Sequence, residues 1–428
     1  MKRVCIVGCG AIGSLYAAHL ARVAEVWAFV RREDHAEALN REGLQVSGKH
    51  EFRASLKATT HPEELPDCEL GIVATKATQV EDAMTKVGGH FDKGVVISAQ
   101  NGLGGEEIVA EHTHGQVIRG TTFMSGTKHS DTHVQYELDT ATWIGPFEPR
   151  HTPFAVVKEA ADLITAGGLK AEALPDARPA QWSKLIFNAS VNGVSALTGL
   201  PHSPHFADES QFSDLGHLLH ELIDEGKRVA QAAGVKLHED PWEMNKIGAM
   251  TNHPPSMLYD VRRQLRTEVD FLSGAIAREA QRNGVPAPLH TAVYQLIRGK
   301  EASWSFKNEN RAVAAAGGTG IAADPDRDLI ARVSEKGDFF GYVMRDDTLT
   351  DWSLVKDFGE FLIRLGHEDV FGHVLLARAC RHLGESERAR EELQYCRGQA
   401  AQGKLVAAEE AMLLQFLAQE ERILPGNR

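Results

Sequence analysis

The feature that most constrains the fold of this chain is the glycine pattern that follows its first apolar run. The run Arg3–Val7 ends at Gly8, and Gly10 and Gly13 complete the order G-x-G-x-x-G. Apolar side chains then recur at helical spacing. Strand, tight turn and helix in this order are typical of a dinucleotide site, where Gly8 makes the turn, Gly10 admits a pyrophosphate and Gly13 lets helix and strand pack closely. The alternative is a glycine-rich turn between packed elements.

Short apolar segments and helical segments alternate after this motif. Strands are predicted at Glu25–Val30, Leu70–Ala74, Val95–Ser98 and Gln116–Ile118, with helical patterns between them. The alternation predicts an α/β domain with a mostly parallel sheet and right-handed crossovers. His133–Glu137 and Thr142–Ile144 are predicted to form a later antiparallel pair.

From about Asp176 the pattern becomes helical throughout. Helices are predicted at Trp182–Leu197, Leu215–Ala233, Met257–Asn283 and His290–Arg298. A small, glycine-rich and aperiodic stretch indicates a linker, and helical periodicity returns beyond it. We therefore expect a Rossmann domain at residues 1–175, a helical domain at 176–305, a linker at 306–328 and a helical extension at 329–428.

The extension contains one group of small and apolar residues with the spacing of a tetratricopeptide repeat: Leu376, Ala377, Cys380, Gly384, Ala389, Leu393 and Cys396. Stable arrays need about three such repeats. An ordinary helical hairpin explains the pattern at least as well, so whether the extension is TPR-like stays open.

Composition and charge limit the class of protein. The 428 residues carry a formal net charge of -13, which argues against non-specific binding to nucleic acid. Glycines interrupt the first apolar run and no cleavage site follows it, so a secretory signal is not predicted. No run of about 18 apolar residues predicts a membrane span. Five cysteines without a C-x-x-C pair favour a reducing cytoplasm over a disulfide framework.

Two arginines follow the second strand, where a dinucleotide site meets the adenosine ribose. An acidic residue there binds a ribose 2'-hydroxyl, whereas a guanidinium fork suits a 2'-phosphate. Arg31 therefore predicts NADP(H) over NAD(H), and whether Arg32 shares the phosphate stays open. If the strand ended later, Glu33 or Asp34 would be the ribose ligand. A solvated basic turn is the plain alternative.

A lysine and two asparagines lie on one face of a mostly apolar predicted helix. Lys184, Asn188 and Asn192 are spaced four residues apart, so they fall within an arc of about 80°. Such groups are costly to bury without partners, which would suit a site, but a solvated stripe or internal caps explain the spacing equally well. Downstream, Ser256 and Glu268 are further candidates, with an N-cap and a surface carboxylate as their plain alternatives.

Two histidine pairs, His202/His205 and His217/His220, have spacings that a metal could use. A protein zinc site needs at least three side-chain ligands, and the sequence offers no third one near either pair. We therefore predict solvated or capping histidines and no metal.

Several motifs now stand in one order along the chain: GCGAIGS, Arg31, ATKATQV with Lys76, QNGLG with Asn101, KLIFNASVN, and SMLYDVRRQLRTEVDFLSG. Together they resemble the ketopantoate reductase (2-dehydropantoate 2-reductase) family over about Met1–Trp304. The resemblance implies a Rossmann domain, an all-α domain like that of 6-phosphogluconate dehydrogenase, and a cleft between them. In such enzymes NADPH reduces ketopantoate to pantoate on the route to pantothenate and coenzyme A.

For the cofactor, the resemblance implies NADP(H) and contacts from the glycine turn and from later positions. The pyrophosphate would be held by Gly8, Cys9, Gly10, Ala11, Ile12 and Gly13. Arg31 would bind the 2'-phosphate, with Lys76 on the adenosine side. Asn101 would border the nicotinamide and the substrate, and Glu268 would lie near the cofactor ribose.

For the substrate, the resemblance implies a catalytic lysine and several polar partners. Lys184 would be the general acid for the nascent alkoxide, and Glu268 would lie near the substrate hydroxyl. Asn188 and Asn192 would bind substrate oxygens, and Ser256 would bind the carboxylate. A free lysine has a pKa of ~10.4 and an efficient acid one of ~7–8. Burial would lower the pKa of Lys184 and Glu268 would raise it, so the balance stays open.

The family pattern accounts for none of the residues beyond about Trp304. The extension could cover the cleft, build a homodimer contact or bind a protein partner. The substrate also stays open, because the same scaffold would serve another branched 2-keto acid. A nucleotide-sensing interaction protein is the alternative from a different class. The presence of Lys184, Asn188, Ser256 and Glu268 together argues against a loss of catalysis.

Overall fold

The alternating apolar segments of the sequence form strands in the places where the periodicity predicts them. The computed structural model describes residues 1–210, 214–251, 254–315, 325–334, 343, 350–364 and 370–401. Within these ranges the strands are β1 (Arg3–Val7), β2 (Glu25–Phe29), β3 (Leu44–Gly48), β4 (Phe52–Ala54), β5 (Lys57–Thr59), β6 (Leu70–Val73), β7 (Val95–Ser98), β8 (Gln116–Thr122), β9 (Ser125–Ser130), β10 (His133–Leu138), β11 (Thr142–Pro146) and β12 (Ala171–Ala173).

The main sheet has eight strands in the order β12-β11-β8-β7-β6-β1-β2-β5. Six neighbouring strands of this sheet run parallel, namely β5, β2, β1, β6, β7 and β8, and β11 is antiparallel to β8. This is the Rossmann order, in which ligands bind at the carboxyl ends of the two strands where the order reverses, here β1 and β6. The mostly parallel sheet predicted from the sequence is confirmed.

The predicted antiparallel pairing of His133–Glu137 with Thr142–Ile144 is wrong. In a second sheet of order β4-β3-β10-β9, β10 pairs with β9 and β3, whereas β11 pairs with β8 in the main sheet. β10 therefore pairs with β9, a strand that the sequence does not predict, and β11 pairs with residues of β8 beyond its predicted end at Ile118. The sequence of β9, SGTKHS, lacks the apolar alternation by which strands are recognised.

The helices of the N-terminal part are α1 (Ala11–Leu20), α2 (Glu33–Glu42), α3 (Val80–Val87), α4 (Gly105–Glu111) and α5 (Phe154–Ala166). The second sheet covers the outer side of α1, since Leu15 and Tyr16 share one buried cluster with Leu44, Val46 and Val134. With the main sheet on its other side, α1 is buried almost all round, as its apolar sequence requires.

The following domain is built from α6 (Arg178–Thr198), α7 (Asp214–Ala232), α8 (Pro241–Ala249), α9 (Ser256–Arg262), α10 (Ser273–Arg282) and α11 (Pro288–Ala315). Its core joins α6 to α7 through Trp182, Ile186, Leu219 and Leu222. The all-helical character predicted for this domain is confirmed.

The single helix predicted over Met257–Asn283 is wrong, because the chain breaks between α9 and α10. Gln264 adopts a left-handed conformation with φ of 54°, and Leu265 N donates to the Asp260 carbonyl at 2.9 Å. This is a Schellman helix end, which glycine usually makes. Because Gln264 takes the place of glycine here and the apolar spacing continues across the break, no residue in this stretch marks the end of a helix.

The residues divide into two compact units, Met1–Ala312 and Val313–Arg428. The second unit contains the helices Pro325–Ser334, Trp352–Arg364, Val370–His382 and Ser386–Ala401. The last two helices form a hairpin around a buried cluster of Leu376, Ala377, Cys380, Ala389, Leu393 and Cys396. Helices are confirmed in the described part of the extension, whereas residues 335–342, 344–349, 365–369 and 402–428 of it lie outside the described residues. Its TPR-like character and the exact domain boundaries stay predictions.

Part of the segment predicted as a linker, 306–328, is helical. The helix α11 continues to Ala315, and a new helix begins at Pro325. The run Ala312–Ala315 is rich in alanine, the best helix former, which explains the continuation. Residues 316–324 of the predicted linker lie outside the described residues.

Candidate active site

The glycine turn between β1 and α1 has space for a phosphate. Gly8 has a φ of 93°, and a Cβ on Gly13 would lie 1.9 Å from the Gly8 carbonyl oxygen. A Cβ on Gly10 would meet nothing within 4 Å. Gly10 is the N-cap of α1 and no side chain caps that end, so the first N–H groups and the helix dipole suit an anion. The turn thus fits the pyrophosphate of a dinucleotide.

The two arginines after β2 have different surroundings. Arg32 Nη1 donates to Asp34 at 3.1 Å, and Arg32 Nη2 donates to Asp131. Arg31 is exposed and makes no hydrogen bond or ion pair with the part of the chain that the structure describes. Glu33 accepts the Thr60 hydroxyl in the first turn of α2. Arg31 is therefore available to an anion, whereas Arg32 is engaged.

Lys184 lies on α6 beside the end of β8. Its Nζ donates to the carbonyl of Thr122 and lies 5.3 Å from the centroid of the Phe123 ring. Burial lowers the pKa of Lys184 to about 8, although the nearby Glu268 raises it. The lowering of the pKa by desolvation is therefore larger than the raising by Glu268, a comparison that the sequence left open. The resulting pKa is close to the range of an efficient acid at neutral pH.

Glu268 lies in the break between α9 and α10 and is buried, so the surface alternative is wrong. Its Oε1 accepts the backbone N–H of Ala77 at 2.7 Å. Burial raises the pKa of Glu268, while the hydrogen bonds from Ala77 and Asn101 and the charge of Lys76 lower it. The carboxylate joins the Rossmann domain to the helical domain.

The asparagines of α6 each meet a residue predicted for the same site. Asn188 Nδ2 lies 3.5 Å from Asn101 Oδ1, across the interface between the two domains. Asn192 Oδ1 accepts from the Ser256 hydroxyl at 3.3 Å and from Met257 N at 3.1 Å. Pro255, not Ser256, is the N-cap of α9, so the capping alternative for Ser256 is wrong. Lys184, Asn188 and Asn192 on α6 therefore contact partners within the protein instead of forming a solvated stripe.

Three groups near these residues were missed by sequence reasoning. Asp260 on α9 is buried and pairs with Lys76 Nζ. Lys128 on β9 donates to the Cys9 carbonyl at 3.0 Å and so supports the glycine turn. The third is the Thr122 carbonyl that Lys184 meets. The sequence could have indicated Asp260, because an acidic residue stands there within an apolar helical run. Nothing in the sequence marks Lys128 or the Thr122 carbonyl.

The histidines singled out for metal spacing have other contacts. His202 Nε2 shares a hydrogen bond of 2.9 Å with Asn245 Oδ1, and the ring of His220 stacks on Trp242 at 4.5 Å. Among the described residues no group of three or more His, Cys, Asp and Glu side chains has a metal-binding arrangement. None of the helices in these ranges is both long and apolar enough to cross a membrane.

The sequence matches two family models that together span both domains of this site. Ketopantoate reductase PanE/ApbA matches residues 4–149, and its C-terminal domain matches residues 176–301. The chain belongs to the ketopantoate reductase family. The protein is therefore an oxidoreductase of a nicotinamide-dependent family.

Curated relatives agree with this assignment. The 2-dehydropantoate 2-reductase of Archaeoglobus fulgidus is 31% identical over 307 residues, covering 70% of this chain and 98% of the relative. That of Pyrococcus horikoshii is 30% identical over 305 residues, covering 70% and 97%. These ketopantoate reductases thus match this chain along almost their whole length, while part of the present chain has no counterpart in them.

Solved structures confirm the fold. A PanE/ApbA family ketopantoate reductase from Ralstonia eutropha superimposes with a TM-score of 0.63 at 25% identity, covering 71% of this chain and 99% of that one. D-mandelate dehydrogenase with NADH and anilino(oxo)acetate has a TM-score of 0.63 at 22% identity and the same coverage. The second likeness shows the shared fold alone.

Proposed function

We propose that this family member reduces ketopantoate to (R)-pantoate with NADPH, in the cytoplasm. The observation that carries the proposal is Lys184, an amine whose pKa burial lowers to about 8 against the charge of the nearby Glu268. Its neighbour on the same helix face, Asn188, lies 3.5 Å from Asn101. The five cysteines are free and buried, which supports the cytoplasmic location.

In this proposal NADPH supplies the hydride. Lys184 gives a proton to the oxygen of the ketone as negative charge develops there. Asn188 and Asn192 bind substrate oxygens, and Ser256 binds the carboxylate. Glu268, held by Ala77 N, lies near the substrate hydroxyl and the ribose.

The protein's own cofactor contacts come from its glycine turn and the end of β2. The residues Gly8, Cys9, Gly10, Ala11, Ile12 and Gly13 hold the pyrophosphate. Arg31 binds the 2'-phosphate, which its lack of a partner within the described ranges supports. Lys76 and Asn101 border the adenosine and the nicotinamide.

Oxidation of NADPH in the presence of ketopantoate tests the proposal. Lys184→Met should abolish most turnover and leave the Kd for NADPH nearly unchanged, because the amine acts on the substrate oxygen. Lys158→Met, an exposed lysine on α5, is the matched control. An unchanged kcat in Lys184→Met would remove the catalytic role of this lysine.

The choice of NADPH has its own test. Arg31→Ala should weaken NADPH by about 10- to 150-fold, the worth of a hydrogen bond to a charged group, and leave NADH nearly unchanged. Equal losses for both cofactors would contradict the assignment. No NADPH oxidation with any 2-keto acid would favour the nucleotide-sensing alternative.

A further inference from the structure

Lys128 contacts two parts of the dinucleotide site that lie far apart in the sequence. Its Nζ donates to the Cys9 carbonyl of the glycine turn at 3.0 Å. It also lies 3.1 Å from His35 Nε2, in the first turn of α2, and 3.2 Å from Asp131 Oδ1, in the turn after β9. One amine thus joins the turn that suits the pyrophosphate to the helix that follows Arg31.

These three contacts use every hydrogen that the Lys128 ammonium can donate. A protonated lysine has three N–H donors and no acceptor. The Cys9 carbonyl and the Asp131 carboxylate accept two of them, and His35 Nε2 accepts the third when it carries no proton. Burial and the charge of Lys128 lower the pKa of His35, which favours this neutral form of the ring. Lys128 therefore acts on a bound cofactor through its protein partners, not by direct hydrogen bonds.

Asp131 extends this connection to the arginines after β2. Its second carboxylate oxygen accepts from Arg32 Nη2, and Arg32 Nη1 donates to Asp34 at 3.1 Å. The residue after Arg31 is thereby held by the same carboxylate that Lys128 contacts, while Arg31 itself is exposed. The position of Arg31 relative to the glycine turn thus depends on Lys128.

We propose that Lys128 is a positioning residue that sets the spacing between the glycine turn and Arg31. The inference rests on the proposed function, because it takes the pyrophosphate of NADPH to bind at Gly10 and the 2'-phosphate at Arg31. NADPH contacts both places at once, and preorganised contacts cost less free energy to form than contacts that the ligand itself must order. NADH lacks the 2'-phosphate, so its binding depends on the turn but not on this spacing.

Cofactor titrations of the full-length protein test this role with Lys128→Met, which keeps an unbranched side chain and removes all three donors. The ratio of the Kd for NADH to the Kd for NADPH should fall, at most by the about 10- to 150-fold that a hydrogen bond from Arg31 to a charged group contributes. Both cofactors should also bind somewhat more weakly, because the Cys9 carbonyl loses this donor. Lys49→Met, an exposed lysine directly after β3, should leave both constants unchanged.

A double-variant cycle separates positioning from a general structural role. In an Arg31→Ala background the 2'-phosphate has already lost its contact, so Lys128→Met should weaken NADPH and NADH by the same factor. The combined loss of NADPH affinity should be smaller than the product of the two single losses by about 2- to 150-fold, the range of coupling within one network. A lysine that only stabilised the fold would weaken both cofactors equally in either background.

The outcomes separate this inference from the proposed function. Multiplicative losses, or an unchanged ratio of the two Kd values in Lys128→Met, overturn the inference and leave the proposed function intact. If Lys128→Met does not fold, His35→Leu removes one acceptor and should lower the same ratio, and an unchanged ratio overturns the inference. Native protein that binds both cofactors but reduces no ketopantoate contradicts the proposed function, and the titrations still decide this inference. Native protein that binds neither cofactor overturns both.

Discussion

At the scale of single residues, the general-acid role proposed for Lys184 depends on its protonation. Its Nζ is held by the Thr122 carbonyl, and burial brings its pKa to about 8. The charge of Glu268 opposes this shift. Both effects come from residues far from Lys184 in the sequence, so the sequence could name the lysine but not its acidity.

We predict that the kcat for reduction falls as the pH rises through about 8, because Lys184 loses the proton it donates. Oxidation of the 2-hydroxy acid should show the opposite trend, since it needs the neutral amine. Glu268→Gln removes a charge that raises the pKa of Lys184, so the same limb should move to lower pH. Exposed Glu243→Gln is the control. A pH profile that is flat in both directions would contradict this assignment.

At the scale of elements, the turn from β1 to α1 contains two glycines with opposite surroundings. A Cβ on Gly13 would strike the Gly8 carbonyl oxygen, whereas a Cβ on Gly10 would enter open space. The glycine order alone predicted this strand, turn and helix. It could do so because the constraint is local and every part of it lies in adjacent residues.

We predict different results for alanine at these two glycines. Gly13→Ala should lower the free energy of unfolding by about 1–3 kcal/mol, as overpacking does, and weaken NADPH as well. Gly10→Ala should weaken NADPH with an unfolding change below about 1 kcal/mol, the scale of an N-cap substitution. Denaturant unfolding and a cofactor titration measure both variants. An unchanged NADPH affinity in Gly10→Ala would show that this space does not hold the cofactor.

Gln181 connects α6, the helix that carries Lys184, to a buried ion pair of the Rossmann domain. Arg119 on β8 lies 3.0 Å from Glu106 Oε1 and donates to Gln181 Oε1 at 2.6 Å, and Gln181 is on α6. Gln181 Nε2 also donates to the Gly102 carbonyl at 3.0 Å. These contacts connect β8, α4 and α6 at residues that no sequence pattern links.

We predict that Arg119→Met lowers the free energy of unfolding by about 3–5 kcal/mol, because it leaves the Glu106 charge buried without its partner. Denaturant unfolding measures the loss. Arg3→Met, which removes an exposed pair with Glu25, should cost much less. Equal effects of the two substitutions would mean that the buried pair does not stabilise this junction.

At the scale of the whole molecule, two domains that match the ketopantoate reductase family are followed in sequence by a second unit. The family matches end at residue 301, and the relatives are covered almost completely without the residues beyond it. The first compact unit, Met1–Ala312, contains every residue proposed for the site. Whether the second unit contacts another copy or another protein stays a prediction.

We predict that a chain ending at Ala312 folds and keeps the kcat/KM of the full-length protein, because 70% of this chain matches 98% of a curated relative. Steady-state kinetics and thermal unfolding of both chains measure this. A truncated chain that unfolds normally but has lost turnover would assign the second unit a part in catalysis.

The sequence by itself determined the Rossmann start, the helical second domain and the polar stripe of Lys184, Asn188 and Asn192, because each depends on periodicity within one element. Only the tertiary structure decided the rest. The left-handed Gln264 ends α9 and sets Glu268 in a break against Ala77 N. Burial by distant parts of the chain sets the pKa of Lys184. Desolvation, and contacts between residues far apart in the sequence, have no local pattern from which they could be predicted.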